Sequence, residues 1–213
     1  MIRRGPTKDA RAGIVLAHGR GGTAAGILDL LSAAGLSEIA AIAPQAPGNS
    51  WWPTSFLAPS DILSPHVARG VAALTDAVAD LEASGVPRDR IWLAGFSQGA
   101  CLALETLARA GQGLAGCLGF SGGLVGTSDA GSVGEDALYG HASKRFDYAT
   151  RHDGARVWIS VHERDPHIPL RRAQETEATF RSLGASVRLQ VYPGSGHGVM
   201  APDLAALRNW LTE

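Results

Sequence analysis

Short apolar runs alternate with longer amphipathic ones along this chain. That alternation predicts an α/β fold, a mainly parallel central sheet with helices on both faces. Two further observations support it. The strand-like runs are nearly continuous apolar stretches, as expected of strands covered on both sides. Polar or Gly-rich turns follow several of them, at the carboxyl ends where open parallel sheets form their sites. The 213 residues suit one domain, 1–213, without a large cap.

The elements follow in order. AGIVLAH (12–18) is a buried strand running into a Gly-rich loop. TAAGILDLLSAAG (23–35) is helical, with Thr23 as N-cap and Gly35 as stop. IAAIAP (39–44) is the second strand. Ser64-Pro65 opens a long helix, since Ser caps and Pro is tolerated at the first helical position. Its residues Val67, Val71, Leu74, Val78 and Leu81 recur at helical spacing, and Gly85 ends it. RIWLAGF (90–96) is a strand and QGACLALETLARA (98–110) a helix. AGCLGF (115–120) and ARVWISV (155–161) are strands separated by a long polar stretch. PLRRAQETEATFRSLG (169–184), SVRLQVY (186–192) and PDLAALRNWLTE (202–213) complete a helix, a strand and a closing helix.

Composition narrows the possibilities. Apolar residues make up 45% and charged residues 18%, enough to bury a core and too apolar for disorder. The net charge is −1 with no basic stripe, which argues against nucleic acid as a partner. Cys101 and Cys117 lack metal-type spacing, and one falls in a helix, the other in a strand. No disulfide is needed, and a reducing cytoplasm is the expected compartment. MIRRGPTKDARAG has basic residues but no apolar stretch behind them, so no secretory signal is expected. No apolar run approaches the roughly 18 residues of a membrane span.

Chemistry concentrates after the strands. Ser97 sits in G-F-S-Q-G (95–99), between a strand and a helix. A sharp strand-to-helix turn strains the Ser backbone, needs Gly95 and Gly99 to avoid clashes, and projects the hydroxyl from the top of the sheet. A Ser hydroxyl needs a base, and His197, between Gly196 and Gly198 after the last strand, is placed to be one. The imidazole needs an orienting carboxylate. The loop HERDPH offers Glu163 and Asp165, of which Asp165 is preferred: it lies farther into the loop, and Pro166 fixes the turn behind it. Glu163 reads as a solvated or ion-paired neighbour. The chain order Ser97, Asp165, His197 is that of the α/β-hydrolase fold. The developing oxyanion needs two amides, one from Gln98 and one from HGRGG (18–22), with Arg20 first and Gly21 second. That loop lacks the signatures of a phosphate cradle.

The set HGRGG (18–22), GFSQGA (95–100), DPHIPL (165–170) and GSGHG (194–198) resembles the phospholipase/carboxylesterase family, the small lid-poor branch of α/β-hydrolases that includes acyl-protein thioesterases. APQAPGNSWWPTSFLAP resembles a bacterial subgroup of it. The likeness runs from residue 12 to the C-terminus. It implies cofactor-free hydrolysis of small carboxylic esters or thioesters through an acyl-enzyme on Ser97. The same triad also serves peptidases and acyltransferases, and a non-catalytic binder could keep the scaffold. Two features depart from the family and bear on the substrate: Gly22 stands where eukaryotic thioesterases carry an acid, and residues 125–154 are long for a connection. Lid-poor hydrolases can pair through exposed apolar rims, so a homodimer is among the expected states.

Other residues receive structural readings. His18 bonds to backbone beneath its loop. His66, His141 and His152 are surface residues. His162 and His167 with Glu163 lack zinc-hydrolase spacing, and Pro166 prevents a regular helix, so no metal is expected. Cys101 packs behind Ser97 as an inert thiol. Arg171, Arg172, Glu175 and Glu177 form a solvated helix face. One of Trp51 and Trp52, in SWWPTSFLAP (50–59), packs inward. The other lines the acyl or alcohol pocket with Phe56 and Leu57 nearby, because adjacent residues of an extended segment face opposite ways.

Overall fold

The computed structural model describes residues 1–6, 8, 10–131 and 138–213. The strands are β1 (Ile2–Arg4), β2 (Gly13–Ala17), β3 (Ala40–Ala43), β4 (Ile91–Phe96), β5 (Gly116–Phe120), β6 (Ser128–Asp129), β7 (Lys144–Arg145), β8 (Arg156–Arg164) and β9 (Ser186–Ser195). The helices are α1 (Ala24–Ala33), α2 (Ser60–Ala83), α3 (Gln98–Ala110), α4 (Leu170–Ser182) and α5 (Ala201–Thr212). Seven strands form one sheet in the order β1-β3-β2-β4-β5-β8-β9. Every pairing in it is parallel except β1 with β3. Among the described residues, no helix is long and apolar enough to cross a membrane.

Strand alternation divides the core. Val15 and Ala17 of β2, Leu93 of β4 and Val157 and Ile159 of β8 face α2, α3 and α4. Their neighbours Ile14, Leu16, Trp92, Ala94 and Trp158 face α1 and α5. Both faces are covered, which is why the central strands β2, β3, β4 and β5 carry no charged or amide side chain. Thr23 caps α1 by accepting from the Gly26 amide at 3.0 Å, and Gly35 follows the helix at φ 71°.

Several expectations need correction. β1 is not among the expected strands: IRR is three exposed residues, held by its antiparallel register with β3, by an Arg3–Asp80 ion pair and by Arg4, which donates to the Leu28 carbonyl. α2 begins at Ser60, not Ser64, and Pro65 lies inside it. Its start is stabilised from afar. The Asp129 carboxylate accepts from the Ser60 amide and hydroxyl, both at 3.0 Å, placing negative charge where a helix N-terminus favours it. Pro65 removes only the bond to the Asp61 carbonyl, on the exposed side of the first turns. Arg172 is not on a solvated face. It is fully buried, pairs with Glu175 at 2.9 Å, donates to the Leu124 carbonyl at 3.2 Å and lies between the Phe56 and Phe146 rings.

Part of segment 125–154, residues 132–137, lies outside the described residues. The rest is tied down by two buried charges. Glu105 of α3 accepts from the amides of Val125 and Gly126 and from the Tyr148 hydroxyl. Lys144 donates to the Ala58 carbonyl and pairs with Asp129. This is where β6 and β7 form a two-stranded antiparallel sheet.

His152 is a further correction: it is 2% exposed, packed edge-on against Phe180. Burial pushes its imidazole below the usual 6.5, against the opposing influence of the Ala108 carbonyl and Asp153. The unfolded chain therefore takes up the proton more readily than the folded one. The stability this group contributes is present above pH 6.5 and is lost as pH falls below it. Denaturation midpoints should drop between about pH 7.5 and about pH 5.5, and His152→Phe should flatten part of that drop. Equal slopes for the two proteins would contradict this account.

Candidate active site

β4 ends at Phe96, and α3 starts at Gln98, so Ser97 alone makes the turn. It holds φ 55° and ψ −120°, a strained combination for a non-glycine residue. The flanking glycines are required by contact. A Cβ on Gly95 would stand 2.3 Å from the Gly99 carbonyl oxygen, and one on Gly99 would stand 2.0 Å from that of Ala17. The Ser97 amide is anchored by the Phe120 carbonyl at 2.9 Å.

Three side chains from three strand ends meet here. His197 Nε2 lies 2.8 Å from Ser97 Oγ. His197 Nδ1 lies 2.8 and 3.0 Å from the two Asp165 oxygens. An ionised carboxylate only accepts, so Nδ1 carries the proton and Nε2 accepts from the Ser97 hydroxyl. The β8–β9 register shifts at a bulge between His162 and Arg164 and ends at the Arg164–Ser195 pair, immediately before Asp165. Asp165 is buried. Its Oδ1 accepts from the amides of His167 at 2.8 Å and Ile168 at 3.0 Å. Burial pushes this carboxyl up, but the His197 imidazole and the two amides outweigh burial and hold it below the usual carboxylate value. Glu163 stays exposed on β8 and accepts from the Gly194 amide. The His197 ring lies 5.1 Å from that of Phe96 and 4.8 Å from that of His167.

The amides around Ser97 sort themselves by partner. Gly21 N donates to the Asn49 carbonyl at 2.7 Å and Gly22 N to Gly19 O at 3.0 Å. Gly21 is therefore removed from the candidate oxyanion donors, because its donor is taken. The amides of Arg20 and Gln98 have no protein acceptor among the described residues. His18, 1% exposed, braces the loop from below: it bonds the Gly19 carbonyl through Nδ1 at 2.8 Å and accepts from the Ala46 amide at 3.1 Å. Burial lowers its pKa, against the pull of Gly19.

A cavity of about 500 Å³ opens beside Ser97 and His197. Trp52 and Phe56 line it; Trp51 and Leu57 do not. Leu57 is 2% exposed and belongs to the core. Trp51 is a peg: its indole donates to the His18 carbonyl at 2.9 Å and its ring packs on the His18 ring. Cys101, at the cavity wall, is fully buried, and burial pushes its thiol up to about 12. Tyr139 was missed. It lines the cavity from segment 125–154, at φ 51°, and its hydroxyl donates to the Asp165 carbonyl at 2.8 Å. Nothing in the strand and helix pattern could have placed it.

The model of the Phospholipase/Carboxylesterase family matches residues 4–132. Acyl-protein thioesterase 1 of Neurospora crassa is 27% identical over 130 residues, covering 61% of this chain and 48% of the relative. The chain thus spans about half the length of the curated relatives it matches. The crystal structure of a phospholipase/carboxylesterase from Dyadobacter fermentans is 36% identical, with a TM-score of 0.85, covering 100% of this chain and 95% of that one. The Bacillus cereus carboxylesterase, 15% identical with a TM-score of 0.72 over 99% of this chain and 92% of that one, shares the fold.

The contact at Gly99 yields a direct test. Gly99→Ala should destabilise the fold by about 3 kcal/mol or more, because the backbone it meets cannot move aside. Gly198→Ala, whose Cβ would meet nothing within 4 Å, should stay within about 0.5 kcal/mol. Thermal unfolding followed by circular dichroism distinguishes them, and an unperturbed Gly99→Ala would refute the steric account.

Proposed function

The chain belongs to the phospholipase/carboxylesterase family, and from that premise we propose that it is a serine hydrolase cleaving small carboxylic esters or thioesters through an acyl-enzyme on Ser97. The observation that carries this reading is the continuous hydrogen-bonded chain Asp165–His197–Ser97 at the mouth of a largely apolar cavity.

The chemistry follows from the atoms. His197 Nε2 takes the Ser97 proton as Oγ attacks the carbonyl carbon. The carbonyl π pair moves to oxygen, and that oxyanion is held by the amides of Arg20 and Gln98. Asp165, kept ionised, stabilises the imidazolium. The tetrahedral intermediate collapses, His197 gives its proton to the departing alkoxide or thiolate, and the acyl group stays on Ser97. Water then repeats the sequence: His197 takes one of its protons as its oxygen adds to the acyl carbon, the tetrahedral intermediate collapses, the C–Oγ bond breaks and His197 returns the proton to Ser97 Oγ, releasing the carboxylic acid and the free enzyme. Each oxyanion donor contributes about 2.7–4 kcal/mol to such a transition state. The buried, unpaired thiols of Cys101 and Cys117 support a reducing, cytoplasmic setting.

Ser97→Ala should abolish turnover of p-nitrophenyl esters and labelling by a fluorophosphonate. Asp165→Asn should lower kcat by up to about 10⁴, by analogy with the same change in serine proteases; Glu163→Gln should change it little. The reverse ranking of the two acids would overturn the assignment.

The tryptophan pair divides by wall and peg. Trp52→Ala should shift acyl chain-length preference in a series of p-nitrophenyl esters and acyl-CoA thioesters. Trp51→Phe, which keeps bulk but loses the indole donor, should lower the melting temperature instead. No change of preference in Trp52→Ala would remove Trp52 from the substrate wall.

A further inference from the structure

The loop 18–22 carries glycine at 19, 21 and 22, a backbone with wide conformational freedom. Within it, the Gly19 carbonyl shares a peptide plane with the Arg20 amide and is held by the Gly22 amide at 3.0 Å and His18 Nδ1 at 2.8 Å. Further ties come from outside the loop. Gly21 N is tied to the Asn49 carbonyl. The Arg20 guanidinium donates to the Pro53 carbonyl at 3.0 Å and also to the Thr54 carbonyl. Across the site, the Gln98 side chain accepts from the Trp51 amide and donates to the Trp52 carbonyl, both at 2.8 Å. The two residues beside Ser97 whose amides have no protein acceptor among the described residues thus use their side chains to grip one and the same segment, 51–54.

We propose that Arg20 is a positioning residue of the oxyanion site: its guanidinium, by gripping the carbonyls of Pro53 and Thr54, aims its own backbone amide at the oxygen that develops charge on Ser97. Gln98 provides the matching grip on Trp51 and Trp52. The inference rests on the hydrolase reading above and adds a task for a side chain which that reading does not use. A planar fork with several donors can hold two successive carbonyls at once, whereas a lysine ammonium is a flexible point charge. The grip also gives the Trp-Trp segment a second role. The wall that meets substrate is the mount that holds the donors, so a displaced wall moves the donors with it. Misplacement by about 1 Å costs on the order of 100-fold in rate.

Arg20 is exposed, and its substitution leaves the backbone amide in place, so the variants should fold. Arg20→Ala and Arg20→Lys would be compared with the unaltered protein for kcat and KM on p-nitrophenyl butyrate, for the rate of fluorophosphonate labelling and for melting temperature. Arg20→Ala should lose about 10- to 100-fold in kcat, with labelling slowed in proportion, KM within about twofold and Arg20→Lys recovering part of the loss. An unchanged kcat, a loss confined to KM, or a loss that tracks a reduced folded fraction would each overturn the proposal. Failure of the unaltered protein to be labelled or to turn over ester would instead sink the hydrolase reading itself. Normal labelling with an indifferent Arg20→Ala would sink only the positioning role.

Discussion

The close approach of Gly99 to the Ala17 carbonyl is the constraint on which the rest of the site depends. No side chain fits between them, so the first turn of α3 sits directly against the end of β2. This brings two distant parts of the chain, the 18–22 loop and the 95–99 turn, into one place. It also forces Ser97 into its positive φ, since the chain must leave β4 and enter α3 within one residue. The strain is local, while what sustains it is spread over parallel β2, β4 and β5 and the Ser97 to Phe120 bond.

Electrostatics then complete what packing begins. A buried carboxylate is costly unless its charge is answered by hydrogen bonds. Asp165 is answered by the His167 and Ile168 amides and by the His197 ring. Those bonds fix the rotamer of the acid and, through it, the tautomer and tilt of the imidazole. Away from the site, Glu105, Lys144 and Arg172 follow the same rule. Each is a buried charge paired with an opposite one and bonded to main-chain groups of segment 124–126 or of residue 58. They compensate for the poor apolar content of segment 125–154 by replacing a hydrophobic core with charge-assisted anchors.

The tryptophan pair shows how far local reasoning reaches. Both rings are buried in the same core, and of the two only Trp52 also lines the cavity beside Ser97. The segment is held at several points: the Trp51 amide by Gln98, the Trp51 indole by the His18 carbonyl, and the Trp52 carbonyl by Gln98 and Ser50. Phe56 and Leu57 both belong to the buried core, and of the two only Phe56 also lines the cavity, a distinction invisible in their shared hydrophobicity.

Local chemistry and periodicity in the chain determined the alternation of strands and helices, the two-sided burial of the sheet, the turn at Ser97 and the chain order of Ser97, Asp165 and His197. These follow from period, glycine spacing and position after a strand, all short-range properties. The tertiary structure alone decided the start of α2 at Ser60, the burial of His152 and Arg172, the loss of the Gly21 amide to Asn49 and the entry of Tyr139 into the cavity wall. In each of these the deciding partner lies far along the chain: Asp129 for Ser60, Phe180 for His152, Leu124 for Arg172, Asn49 for Gly21 and Asp165 for Tyr139. A hydrogen-bond donor or a charge takes its role from what it meets after the chain closes on itself, and no local pattern carries that information.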